Sequence, residues 1–147
     1  RDVFSRGELR QRGREMRERL GPDYIIRLGL EQSRDRDVLF DGIRNLRAAR
    51  TFMSAGGVFI GLVAGAPERF RRELDANDGK TASESVEDMV RNELPEMNSL
   101  DFNGLQLLPV LWGISPEAII DTTHLSIDEV HKRADDLLLS YGISEPV

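Results

Sequence analysis

The chain alternates amphipathic stretches with short runs that are apolar throughout. Residues 6–20 contain no proline, and at about 100° per residue Leu9, Met16 and Leu20 share one face. This predicts a helix with that face inward, closed by Leu20-Gly21-Pro22. Pro22 to Gln32 predicts a second helix, with Tyr24, Ile25, Leu28 and Leu30 turned inward. After the charged turn at 33–37, Val38-Leu39-Phe40 reads as a short strand and Asn45 to Ala55 as a helix broken by Gly56-Gly57. The run VFIGLVAG at 58–65 has little alternation, the pattern of a strand buried on both faces. Ala66 to Leu74 restarts a helix, and Asp75 to Lys80 is a polar loop with the composition of a mobile lid. Thr81-Ala82-Ser83-Glu84 and Ser126-Ile127-Asp128-Glu129 have the form of capping boxes, opening helices to about Glu93 and Leu139. Residues 98–116 read as loop, and Ala118-Ile119-Ile120-Asp121 as the last strand.

Short apolar strands alternating with helices predict one α/β domain over 1–147. It would be a three-layer α/β/α arrangement with a mostly parallel sheet built from 38–41, 58–64 and 118–121. Ligands of such sheets sit at the carboxyl ends of the strands. Asp41, Gly42 and Arg44, then Gly65 and Ala66, then Asp121 and Thr122 would line that rim. The stretch VLFDGIRN at 38–45 raises the sharpest question: its arginine is either an ordinary solvated strand end or a hand held out to an anion.

Charge changes the picture more than length does. The net charge of −6 conceals sixteen arginines against ten acids in residues 1–72, and four basic residues against sixteen acids in 73–147. Of the twenty basic residues, eighteen are arginine, whose planar fork of donors matches phosphate and carboxylate. A bias of codon usage toward arginine explains the number equally well, so position matters more than count. On the first helix, Arg6, Arg10 and Arg17 fall within about 40° of one another, with Gly13 between them and the apolar face. Arg6 and Arg17 are candidates for an anion cleft, whereas Arg10 reads as solvated. The chain has no cysteine and two histidines, which excludes disulfides and thiolate metal sites. No apolar run reaches the ~20 residues of a membrane helix, and a cytoplasmic protein is the expectation. Aromatic residues near the arginines are scarce, which argues against a nucleic-acid partner.

The segment SRGELRQRGREMRERLGPDYI resembles a stretch of the P-loop small-molecule kinases, the dephospho-CoA kinase and nucleoside or deoxynucleoside monophosphate kinase group, through Arg6, Leu9, Gly13, Arg17, Gly21 and Tyr24. VLFDGIRN is similar to that group's strand ending in Asp-Gly-Ile-Arg. VFIGLVAGAPERFRREL is similar to its next strand and the turn into a lid, which would occupy about 69–96. NELPEMNS resembles the stretch after the lid, and AIIDTTHLSIDEV the closing strand, loop and helix.

The resemblance implies an ATP- and Mg2+-dependent phosphotransferase acting on a nucleotide-like acceptor. It implies that Arg6, Arg17, Gly42 and Arg44 hold the acceptor phosphate. Asp41 would stand near magnesium or the acceptor hydroxyl, Arg69 and Arg72 would reach the transferring phosphates, and Thr122, Thr123 and His124 would flank the donor's adenine. Several elements depart from the family, the lid among them, where Asp75-Ala76-Asn77-Asp78, with only Lys80 nearby, stands in place of a further arginine. The sequence contains no G-x-x-x-x-G-K-[ST] loop to cradle phosphates. The family carries that loop upstream of the segment matching Arg6. The resemblance therefore implies either a phosphotransferase whose loop lies in an upstream segment, or a non-catalytic binding or interaction module of the same fold. The closing loop has His124-Leu125 where the family often has glycine, and residues 101–116, with Trp112, have no counterpart.

Overall fold

A computed structural model describes residues 6–33, 37–76 and 83–143, with side chains from Glu8 onward. In chain order the elements are α1 (Arg6–Leu20), α2 (Tyr24–Gln32), α3 (Leu46–Ser54), β1 (Gly61–Val63), α4 (Ala66–Ala76), α5 (Val86–Met97), α6 (Leu107–Trp112), a 3-10 turn (Pro116–Ala118), β2 (Ile119–Asp121) and α7 (Ile127–Ser140). β1 and β2 pair in parallel, Gly61 opposite Ile119, Leu62 opposite Ile120 and Val63 opposite Asp121. The chain is thus α/β, mostly helical, with a small parallel sheet. It divides into two compact units, residues up to Gly57 with Pro95–Val110, and Val58–Leu94 with Leu111 onward.

In the first unit Ile26, Ala48, Ala49 and Val110 are buried. The apolar face read for α1 is not its inward face: Leu9 is 56% exposed, Met16 36% and Leu20 40%. The arginine side turns inward instead, because the arginine stems cover surface while their heads find acceptors. Arg10 Nε donates to Glu96 Oε1 at 2.8 Å and Arg17 Nε to the Asn103 carbonyl at 2.6 Å. On α2 the buried residue is Ile26, and Ile25, expected inside, is 49% exposed. Asp23 explains the rotation. It is buried, accepts from Thr51 Oγ1 at 3.1 Å, and lies 3.4 Å from both the Arg27 and Arg47 Nε atoms.

The strand expected at 38–41 is not formed; these residues are irregular and Leu39 is 95% exposed. Among the described residues no strand pairs with them, and an extended run of this length needs a ladder to persist. Phe40 is held by side-chain packing instead. Its ring meets Phe52 edge-on at 5.5 Å, and it lies so close to Gly29 that a Cβ there would come within 2.5 Å.

Asn45 locks this unit. It is 3% exposed; its Oδ1 caps α3 by accepting from the Arg47 and Ala48 amides at 2.9 and 3.2 Å. Its Nδ2 donates to the carbonyls of Phe102 and Gly104 at 3.1 and 2.9 Å, pinning the loop that leads into α6. α6 itself lies in a stretch read as loop, since six residues are too few to display a helical period.

In the second unit Met89, Ala118 and Ile120 are buried. Gly61 lies directly against Ile119: an added Cβ would sit 3.3 Å from its Cγ1. α4 runs two residues beyond the predicted end, and the remainder of the expected lid loop falls on 77–82, outside the described residues. Thr81 and Ala82 of the first capping box fall there too. α5 starts later than that box requires, with Ser85 Oγ accepting from the Asp88 amide at 3.1 Å. The second capping box is formed as read, Ser126 and Glu129 bonding each other's amides.

Asn45→Ala removes a helix cap, typically worth about 0.5–2 kcal/mol, and two buried side-chain bonds of about 0.5–1.5 kcal/mol each, so urea unfolding is expected to show a loss of about 2–4 kcal/mol. Asn45→Asp keeps the cap acceptor and loses only the donors, so it falls between the parent and Asn45→Ala. Equal stability of all three proteins would contradict the assigned role.

Candidate functional site

The carboxyl ends of β1 and β2 carry a polar network that joins α4 to the turn after β2. Beyond β2 the chain stays bound to β1, the Thr122 amide donating to the Val63 carbonyl at 2.8 Å and its Oγ1 to the same oxygen at 3.1 Å. Thr123 turns its hydroxyl to the Gly65 amide at 2.9 Å and to Asp121 Oδ1 at 2.5 Å. The Thr123 hydroxyl and amide bonds hold the Asp121 carboxyl below its ordinary range.

From α4, Arg72 closes over this turn. Its Nη1 donates to Thr122 Oγ1 at 3.0 Å, its Nη2 to the Thr122 carbonyl at 2.7 Å and its Nε to Glu68 Oε1 at 2.7 Å. Glu68 also receives both Nε and Nη2 of Arg71, at 2.9 and 2.7 Å. Bonds first from Arg71 and then from Arg72 lower its carboxyl from 4.5 to about 2. Arg69 pairs with Glu93 at 2.9 Å. Beside this network opens a cleft of about 590 Å³, whose apolar wall is Leu62, Leu125, Ile127 and Val130 and whose polar side includes Glu68, Arg69, Arg71, Arg72 and His131. Apolar walls with a few convergent polar groups are the usual composition of a small-molecule site.

The residues expected from the sequence thus separate into two sets. Arg69, Arg72, Thr122, Thr123 and His124 lie in the second unit, where Arg72 and Thr122 touch and Arg69, Arg72 and Thr122 line the cleft. Thr123 braces the turn, and His124 is exposed.

Arg17, Asp41, Gly42 and Arg44 lie in the first unit. There Arg44 Nη1 donates to Glu96 Oε2 at 2.5 Å, and Arg10 takes the other oxygen of the same carboxylate. Arg10, read as solvated, is therefore half-buried and bonded. Glu96 is 8% exposed, and nothing in its sequence context signals that role. Arg17 lies along α1 where Gly13 leaves room, a Cβ there being 3.2 Å from its Nη1, and burial lowers its pKa. Gly42 adopts φ 73°, the left-handed region that suits glycine. Asp41 is exposed, and the Arg6 side chain is outside the described residues.

Glu68, Arg71 and Glu96 were not read from the sequence as site residues. Glu68 was within reach, since it stands three and four residues before Arg71 and Arg72, the spacing at which helical side chains meet.

No protein-family model, no curated protein and no solved structure matches the chain. The chemistry of the cleft rests on its own geometry.

Glu68 supplies a pH test. Its folded pKa is depressed, so the ion pairs contribute fully above the unfolded value of 4.5 and are lost as pH falls through about 2. A carboxyl NMR titration is expected to give Glu68 a midpoint near 2, moving back toward 4.5 in Arg71→Ala. An ordinary glutamate midpoint in the parent would show that the pairs do not hold in solution.

Proposed function

We propose that the chain binds a nucleotide-like phosphorylated molecule in the cleft at the ends of β1 and β2, as part of a phosphotransferase of the P-loop-kinase-like kind with its three-layer sheet. The observation that carries this reading is the contact of Arg72 with Thr122, fifty residues apart, at the carboxyl ends of a parallel strand pair. This is the strand end at which ligands of α/β sheets gather. The bonds of Arg72 use three of its five donors, and the apolar wall of Leu62, Ile127 and Val130 offers a surface for a flat ring. A cytoplasmic setting, ATP as donor and a nucleotide or dephospho-CoA as acceptor belong to the same reading.

Magnesium ordinarily uses one or two carboxylates together with phosphate oxygens. Among the described residues no group of three or more His, Cys, Asp or Glu could hold a metal. Asp41, the carboxylate expected beside magnesium, lies in the first unit and is not among the residues that line the cleft.

A second reading, a non-catalytic binding module of the same fold, is favoured by one observation: Arg44, expected at the acceptor phosphate, is bonded to Glu96.

Calorimetric titration with ATP, ADP and adenosine tests the binding. ATP and ADP are expected to bind and adenosine to bind more weakly. Arg72→Ala is expected to weaken ATP by ten- to a hundredfold, roughly the worth of a charge-assisted bond of about 1.5–3 kcal/mol. ADP release in the presence of nucleoside monophosphates or dephospho-CoA, measured on the chain together with whatever its reading frame encodes upstream, separates the two readings: turnover supports the phosphotransferase, and binding without turnover the module. No saturable binding of either nucleotide would overturn both.

A further inference from the structure

Each arginine lining the cleft already holds a carboxylate. Arg69 is paired with Glu93, Arg71 with Glu68 and Asp75, and Arg72 with Glu68. Of these carboxylates Glu68 alone lines the cleft itself. It takes the fork of Arg71, Nη2 on Oε1 and Nε on Oε2, and the Nε of Arg72 on Oε1. Charge-assisted bonds from two guanidiniums thus converge on one small anion, the arrangement in which arginine also holds a phosphate. With its carboxyl held down to about 2, Glu68 is ionised at neutral pH.

We infer that the Glu68 carboxylate occupies the place of the ligand's phosphate, and that binding exchanges one anion for the other on Arg71 and Arg72. This inference rests on the cleft being the site of a phosphorylated ligand. Both arginines stay anchored through the exchange. Released from Glu68, Arg71 offers Nε and Nη2 while Nη1 stays on Asp75, and Arg72 offers Nε while Nη1 and Nη2 stay on Thr122. A phosphate monoester brings three acceptor oxygens to these donors. Glu68 competes from the same helix, three and four residues before its arginines, so its effective concentration is high. An anion of single charge gains no Coulomb attraction over it, whereas a phosphate monoester carries nearly two charges at neutral pH. The ligand class this selects ends in a free phosphate; a carboxylate, or a phosphate esterified on both sides, does not displace Glu68.

Calorimetric titration of the whole chain at about pH 8, where a phosphate monoester is doubly charged, compares ADP with its β-methyl ester, without added metal. The parent is expected to bind ADP roughly tenfold tighter than the ester, and Glu68→Gln to bind ADP about tenfold tighter than the parent, the worth of one charge-assisted bond. Glu68→Ala acts in the same direction. Arg71→Ala in the Glu68→Gln chain is expected to cancel the gain, because the fork that receives the phosphate is gone. A carboxylate that merely positions the arginines gives the opposite sign. If the parent binds ADP and both Glu68 variants bind it no more tightly, the inference is overturned while a nucleotide site in the cleft stands. A parent that holds the ester as tightly as ADP overturns it too. If ADP binds to none of these proteins, the reading of the cleft fails and the inference with it.

Discussion

A strand that ends must leave its last carbonyls to some partner, and just past β2 the Thr122 carbonyl accepts from Arg72 at 2.7 Å and from the Leu125 amide at 3.3 Å. Thr122 is 6% exposed, so its carbonyl and hydroxyl cannot be left unbonded without cost. Arg72 meets both with one guanidinium, and Glu68 fixes that guanidinium from the preceding turn of α4. The helix that follows β1 is thereby tied to the turn that follows β2, and the cleft takes its polar side from that tie. Two strands of three residues give little stability by themselves. Side-chain bonds beyond the ladder, from Thr122, Thr123 and Arg72, extend their association past the last paired residue.

Arginine does the corresponding work in the first unit. Glu96 gathers Arg10 and Arg44, Asp23 gathers Arg27 and Arg47, and the Asn103 carbonyl takes Arg17. The buried apolar residues are few and partly alanine, so polar contacts carry much of the specificity of packing. Arg44 thus already donates to a carboxylate that also holds Arg10. An anion approaching Arg44 would meet a partly neutralised group, unlike the fully available arginine that its place after Asp41-Gly42-Ile43 suggests.

The parts of the fold that were legible in the sequence are those set by local rules. Gly21 closed α1 and Ser126 and Glu129 opened α7; of the apolar run expected to be a strand over 58–64 buried on both faces, only Gly61–Val63 formed a strand, paired in parallel with Ile119–Asp121, and Leu62 in it is 60% exposed. Residues whose state depends on a distant partner were not legible. Val38–Asp41 has strand composition, yet no strand lies beside it among the described residues. Leu9, Met16 and Leu20 have helical spacing, yet the inward face of α1 was chosen by Glu96 and Asn103, more than eighty residues away. In the site, Arg69, Arg72 and Thr122 were singled out and do line one cleft, whereas Arg71 and Glu68, which also line it, were not. Helical spacing joins Glu68 to its arginines; only the tertiary fold joins them to Thr122.

The most direct measurement is amide chemical-shift mapping with ATP. Binding in the cleft should move the amides of Val63 to Gly65, Arg69 to Arg72 and Thr122 to Ser126, saturating together, while those around Gly42, Arg44 and Glu96 stay in place. Shifts confined to the Arg44 and Glu96 neighbourhood, or none at saturating ATP, would contradict a nucleotide site at the ends of β1 and β2.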